Sequence, residues 1–253
     1  MRDSPRADPT AKCFDASYYE EVYKVSAVNR LDIQWWANRY YARLAERLLR
    51  RNRGHRLIDI GCGQGFLLSQ LKGDVEAWGV EVSEYAAARC GTVAPRARVV
   101  LGNIEDGFSD AIPLASFDVV IARYVLEHLR DPGAAMVRCA SLLRPGGYFL
   151  FSVPNTESPG RWWKGARWFG CLDETHCSLL PPAEWQDLLQ RSGLRMEKVF
   201  SDGLWDVPYL RGVPRLLQYG LFSLPTICAV FLVSTALPLR WGENLIAYAQ
   251  KPR

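Results

Sequence analysis

The sequence predicts an α/β protein built on a doubly wound, mostly parallel sheet of seven strands, the last of them antiparallel. Three observations predict it. Short β-rich runs alternate with helical runs from residue 56 to residue 153, the rhythm of βαβ units. The first β-rich run ends in a glycine-rich turn, at the edge where open α/β sheets hold their ligands. The final run, 244–250, alternates apolar and polar side chains as an added strand would.

In chain order, aromatic and leucine side chains recur at spacings of three and four from Tyr18 to Leu49, which predicts lead-in helices ahead of the basic run RLLRRNRGHR. The alternation then places strands at 56–60, 77–82, 97–101, 117–122 and 148–153, with helices at 66–71, 84–90 and 132–143. An aromatic and basic loop, PNTESPGRWWKGARWFG, follows the fifth strand. A helix at 182–191 then leads through Gly193 into a sixth strand at 195–200. The organisation is a tail expected to fray plus a helical lid over 1–54, then one domain over 55–253 with cap-like insertions at 155–180 and 203–242.

At 253 residues, 49% hydrophobic and with nine Trp, the chain has the composition of a protein with a sizeable core and excludes a disordered or fibrous one. A net charge of +4 lacks the concentrated stripe of a nucleic-acid binder, so no nucleic-acid partner is expected. The seven cysteines are odd in number and scattered, which points to a reducing cytoplasm, and the N-terminus carries no apolar core of a secretory signal. Cys171 and Cys177 lack the paired short spacings of a zinc site.

One stretch stands apart. LFSLPTICAVFLVSTALPL, from Leu221 to Leu239, carries no charge. A helix that crosses a bilayer needs roughly 20 apolar residues, whereas Pro225 and Pro238 interrupt this one at both ends. The first reading is a buried helix or cap; a helix making peripheral contact with the inner face of a membrane is the second, and a true span the last.

The chemistry is carried by the run LIDIGCGQG from Leu57 to Gly65. Its glycines are spaced GxGxG, so the backbone turns sharply at the strand end and lies flat against a ligand such as an adenosine with a short polar tail. A dinucleotide fingerprint needs GxGxxG, and Phe66 occupies the place of its third glycine. Glu81 closes the second strand about 20 residues further on, the spacing at which an acid hydrogen-bonds ribose hydroxyls.

Together with Gly79-Val80-Glu81-Val82-Ser83, Leu101-Gly102-Asn103-Ile104-Glu105, Phe117-Asp118-Val119-Val120-Ile121, Leu126-Glu127-His128-Leu129 and Leu142-Leu143-Arg144-Pro145-Gly146-Gly147, this run resembles the class I, Rossmann-like S-adenosylmethionine-dependent methyltransferases of the small-molecule type, which include the ubiquinone-biosynthesis O-methyltransferases. The resemblance covers about residues 57–193. It implies that Asp59, Gly61, Gly63 and Gly65 surround the methionine part of S-adenosylmethionine, whose product is S-adenosylhomocysteine, and that Cys62 is among the cofactor-binding residues. It further implies that Glu81 grips the ribose, that Val82 packs on the adenine, and that Asn103, beside Ile104, faces the adenine amine. Relatives usually carry Asp at the position of Asn103. The resemblance also implies that the residue after the fourth strand, Ala122 or Arg123, lies beside the sulfonium, an unfavourable place for the Arg123 cation unless its guanidinium points away.

Methyl transfer needs alignment and exclusion of water more than it needs catalytic groups. For a hydroxyl acceptor a base helps, and His128 and His176 are the catalytic candidates. His128 alternatively bonds locally at a helix start, and His176 alternatively lies in a solvated loop. In ubiquinone-type relatives a Glu four residues before this His completes a metal site; Tyr124 stands there, so no metal is expected. The tryptophan-rich loop from Arg161 to Phe169 is suited to cap an aromatic acceptor, bind a phosphate-bearing carrier or rest on lipid headgroups, and equally to form a hydrophobic cap. Tyr18, Tyr19, Tyr23, Trp35 and Trp36 form either an opposite wall or core.

The expected function is therefore O-methylation of a small, sugar-linked or lipid-linked acceptor. The alternatives are an inactive cofactor-binding partner at a membrane and, less favoured, an NAD-dependent oxidoreductase. No Tyr in this chain is followed by Lys four residues later, as the short-chain class of the latter requires.

Overall fold

The computed structural model describes residues 14–21 and 33–253. Its sheet has seven strands in the order β3-β2-β1-β4-β5-β7-β6. These are β1 (Arg56–Ile60), β2 (Glu76–Glu81), β3 (Arg98–Leu101), β4 (Phe117–Arg123), β5 (Leu143–Pro154), β6 (Arg195–Phe200) and β7 (Asn244–Gln250). Strands β1 to β5 pair in parallel, and β7 is antiparallel to both neighbours. Every strand except β7 thus ends at one edge of the sheet, and the order reverses between β1 and β4, the place where such sheets bind ligands.

The period of two sorts the strand residues onto two faces. Ile58, Ile60, Val120, Ala122, Phe149 and Phe151 pack with Met136 and Trp185, which come from helices Pro132–Leu142 and Pro182–Arg191. Leu57, Val119, Ile121 and Leu150 face the other way, onto Tyr40, Leu44 and Leu48 of the long helix Ile33–Asn52. The central strand β4 is buried except at its last residue, Arg123. Each large apolar side chain so placed contributes about 1.5–3 kcal/mol. Two caps start helices just past the binding edge. Ser83 Oγ accepts from Ala86 N at 3.3 Å, and Asp131 Oδ1 accepts from Ala134 N at 2.8 Å, followed by Pro132 in the first turn.

Two expectations are corrected. The helix expected at 66–71 shrinks to a single 3-10 turn, Leu68–Gln70. The chain leaves Gly65 with a φ of +81°, and the turn Lys72-Gly73-Asp74 follows at once, leaving no room for a second turn. The glycine loop therefore lacks the full helix N-terminus that binds a pyrophosphate.

The second correction concerns the uncharged stretch. A helix runs from Arg215 to Leu232 straight through Pro225, and only 22% of it is buried, so it is not a buried core helix. It survives the proline because a π-turn, Tyr219–Ser223, widens the coil just before it and puts Pro225 in the first turn of a new α segment, where an amide hydrogen is not needed. Among the described residues this is the one helix long and apolar enough to cross a membrane by length and composition. The N-terminal tail and Tyr23 lie outside the described residues.

Candidate active site

Two cavities meet at the sheet's carboxyl edge. The first is walled by the ends of β1, β2 and β4, the turn after β3, and Phe14, Tyr18 and Tyr19 from the N-terminal segment. Gly61, Gly63 and Gly65 have φ values of +68°, +53° and +81°, the left-handed region that favours glycine. The loop is pinned over β2, with Gly61 N and Cys62 N donating to Val80 O at 2.8 and 3.1 Å. A Cβ on Gly61 would collide with Val125, so a valine there would disturb the fold as well as a ligand.

Glu81, at the tip of β2, is 3% exposed. Its Oε2 accepts from Gly63 N at 2.7 Å, and its Oε1 from Val82 N and Ser83 N at 3.0 Å each and from the Tyr19 hydroxyl at 3.4 Å. Burial raises its carboxyl, and the backbone donors pull it back. Asp59 also lines the cavity; burial pushes it up to about 7, against the pull of Arg123 and with a push from Glu81. Val82, Asn103 and Ile104 complete this wall, as does Cys62. Asn103 Oδ1 accepts from Glu105 N at 2.9 Å, capping the next turn, and an amide oxygen has a second lone pair for a ligand. Gly65 departs from its expected role. It is not part of the cavity wall, and its missing Cβ instead makes room for Cys90.

Arg123 is aimed as its position demands. Its guanidinium donates to Asn38 Oδ1 at 2.5 Å and lies over the rings of Tyr41 and Tyr124, at 4.8 and 5.1 Å to their centroids. Both Arg123 and Tyr124 line the first cavity and the second. Tyr124 has a φ of +53°, a strained conformation for a non-glycine residue and of a kind that clusters at functional sites.

The second cavity, of about 670 Å³, is bounded by aromatic side chains such as Trp36, Tyr40, Phe169 and Trp205 and by the helix Arg215–Leu232. The two histidines meet where the cavities join: His128 lines the first, His176 the second, and their ring centroids are 4.6 Å apart. His128 does not bond locally; its Nδ1 is 2.8 Å from Thr175 Oγ1, 47 positions away. The Thr175 hydroxyl gives its proton to Asp173 Oδ1, so it must accept from His128 Nδ1–H, which leaves Nε2 as an acceptor. His176 Nδ1 is 2.8 Å from the Gly170 carbonyl, which can only accept, so in the neutral ring His176 Nε2 is an acceptor as well. Burial, with His176 next to it, depresses His128 to about 4 and keeps it neutral at pH 7.

Glu127 adds a third group. It is fully buried, neither of its oxygens has a hydrogen-bond partner, and burial pushes it up to about 8. One ligand atom from each of Glu127, His128 and His176 lies within 4.8 Å of the others, a set with the chemistry to hold a divalent cation. The expectation of no metal considered only residues near His128 in sequence, and His176 arrives from a distant loop. Tyr124, at the relatives' Glu position, instead accepts from Asn244 Nδ2 at 2.7 Å.

Sequence reasoning missed Asp202. It sits just past β6, lines the larger cavity and accepts from Asn244 Nδ2 at 2.5 Å and Trp205 Nε1 at 3.1 Å; burial pushes it up to about 7. The signal was available: β6 runs in the direction of β5, so a polar residue after it lands at the ligand edge. The tryptophan-rich loop divides. Trp168 is buried and donates to Glu243 Oε2 at 2.6 Å, whereas Trp162 is 80% exposed.

The sequence pattern of the methyltransferase-domain family matches residues 33–199, about two-thirds of the chain. A Mycolicibacterium smegmatis protein named "Probable S-adenosylmethionine-dependent methyltransferase" is 34% identical over 167 residues, covering 64% of this chain and 60% of that protein. A ubiquinone biosynthesis O-methyltransferase of Paracidovorax citrulli is 34% identical over 113 residues, covering 42% of this chain and 46% of the relative. The chain thus spans about half to 60% of the length of these curated relatives. The crystal structure of a methyltransferase from Thermotoga maritima superposes with a TM-score of 0.59 over 96% of this chain and 99% of that one, at 18% identity, which speaks for the fold.

Proposed function

This chain belongs to the S-adenosylmethionine-dependent methyltransferases, and on that premise we propose that it methylates a hydroxyl of a small or carrier-linked acceptor held in the larger cavity. The observation that carries the reading is the junction. A glycine-loop cavity and an aromatic cavity share Arg123 and Tyr124 and have an imidazole acceptor atom on either side.

The first cavity fits the cofactor. Gly61 and Gly63 present backbone without side chains, and the buried Glu81 and Asp59 offer carboxylates to ribose hydroxyls and an amino group. When bound, S-adenosylmethionine supplies a methyl group on a positively charged sulfur. Phe14, Tyr18 and Tyr19 exclude water from that side, and Arg123 keeps its charge turned toward Asn38 and the tyrosine faces. For an acceptor hydroxyl methylated at this junction, the proton it loses would pass to His176 Nε2. Asp173 Oδ2, 3.8 Å from that nitrogen, steadies the imidazolium so formed. The six described cysteines are all free, which supports assigning the reaction to a reducing cytoplasm.

Calorimetry with S-adenosylmethionine, S-adenosylhomocysteine and NAD tests the premise. Binding of both sulfur nucleosides and not of NAD is expected; binding of NAD alone would overturn it. Transfer of labelled methyl to a lysate component, stable to mild base as an ether is, tests the hydroxyl assignment, and base-labile label would point to an ester instead.

A further inference from the structure

The helix Arg215–Leu232 is amphipathic in the inverted sense. Its buried positions are polar or small: Gln218 is 0% exposed, with Ser223, Thr226 and Ala229 also buried. The buried Gln218 amide is fully used, accepting from Tyr209 N and Leu210 N at 2.7 and 2.9 Å and donating to Leu210 O and Val213 O at 2.8 Å each. The outer positions Leu217, Leu221, Leu224 and Cys228 follow one another at spacings of four, three and four, one stripe along a helix, and all are exposed. Leu216 is 82% and Leu232 74% exposed. An exposed apolar face of this length marks an interaction surface.

The charge around this face identifies what covers it. The insertions at 155–180 and 203–242 contain six of the chain's 31 Lys and Arg and four of its 27 Asp and Glu, and Lys164 is paired with Asp206. Of the two insertions, the second carries Arg211, Arg215 and Arg240 on 207–242 with no acidic residue there. The insertions are physically joined, because Trp163 packs on Phe222 at 5.7 Å and on Tyr209 at 5.5 Å between centroids. Arg211, Arg215 and Arg240 are exposed around the apolar stripe, and the exposed Trp162 and Trp241 are the residue type that settles at the level of lipid headgroups. A second copy of this chain would set these arginines against one another, and a neutral protein partner would leave them without counter-charge.

We propose that the outer face of the Arg215–Leu232 helix is a docking surface for an anionic lipid bilayer. The helix lies in the headgroup plane with its leucines among the acyl chains and the arginines against lipid phosphates. Its inner side supplies Ser223, Thr226, Ile227 and Val230 to the wall of the larger cavity, so docking brings the acceptor site alongside the bilayer. This surface goes beyond the methyl-transfer reading and does not depend on it.

The test is flotation of the full chain with vesicles of phosphatidylcholine alone or with phosphatidylglycerol. Recovery with the anionic vesicles is expected, decreasing as salt is raised. The variant Leu217→Glu/Leu221→Glu/Leu224→Glu, which touches neither cavity, should lose roughly tenfold in recovery while keeping wild-type melting and S-adenosylmethionine binding. Arg211→Gln/Arg240→Gln should lose the preference for anionic lipid, and serves if the leucine variant fails to fold. Absence of wild-type flotation, or equal flotation of both variants, overturns the proposal. So does a dimer in light scattering that the leucine variant converts to a monomer without any vesicle binding. Flotation in a protein that binds no sulfur nucleoside would leave the docking surface standing and remove only the methyltransferase reading.

Discussion

The two cavities at the carboxyl edge are built by opposite means. The glycine-loop cavity rests on strand ends and a turn whose backbone is pinned to β2, with Phe14, Tyr18 and Tyr19 closing over it. The aromatic cavity is assembled from side chains of six separate segments, from Trp36 on the long helix to Phe231. A site made of backbone tolerates little variation and repeats across relatives, whereas one made of side chains on insertions changes its ligand by exchanging residues. The family match stops at residue 199, just before the helix that closes the second cavity.

The largest separation of the two sides should come from His176→Ala. As the proposed base it should lower kcat by roughly 10²–10⁴ while the cofactor Kd, read by calorimetry, stays within about twofold of wild type. A parallel loss of cofactor affinity would place His176 on the wrong side of the comparison. Glu81→Gln should do the reverse. Removing the charge from a buried acceptor of four donors should weaken S-adenosylmethionine binding by about 2 kcal/mol, near thirtyfold, and turnover at saturating cofactor should change far less.

A pH scan of the unliganded protein separates the sides next. Glu127 at about 8 and Asp202 at about 7, both on the acceptor cavity, and Asp59 at about 7 on the other, have folded values above their ordinary 4.5 and 3.8. The native state then holds more protons than the unfolded chain, so their stabilisation is complete below pH 4 and is lost as the pH rises through 7 to 8. Thermal unfolding should show a lower Tm at pH 8.5 than at pH 5.5. Glu127→Gln should reduce the difference by on the order of 1–3 kcal/mol, and a slope unchanged in that variant would show that Glu127 is ionised already. The smallest effect is expected for Gly63→Ala. A Cβ there has open space, with Tyr19 the nearest at 3.8 Å, so the penalty is the φ of +53° alone, about 1 kcal/mol. Equilibrium denaturation would read it.

The same asymmetry decides what could be read in the sequence. Strand limits at 56–60, 195–200 and 244–250 coincide with the structure because a strand's side-chain pattern is local to adjacent residues, even in β6, where only Phe200 is buried. Glu81 and the glycine loop were legible because their spacing is fixed by one βαβ unit. The meeting of Glu127 and His128 with His176 was not, since the loop that carries His176 is placed by tertiary contacts such as Ser178 N to Glu127 O at 2.9 Å. Nor was the exposure of 215–232. Apolar composition reads as burial unless the positions facing inward are known to be Gln218 and Ser223, and that requires the partner surface.

Arg123 belongs to both cavities, and this has a thermodynamic consequence. A ligand on either side that shifts the guanidinium changes the affinity of the other side, and linkage makes the two changes equal in size. Cofactor and acceptor affinities should therefore be measured as a cycle of four equilibria. An inhibitor filling only the aromatic cavity would be expected to report, through Arg123, on the occupancy of a cofactor it never touches.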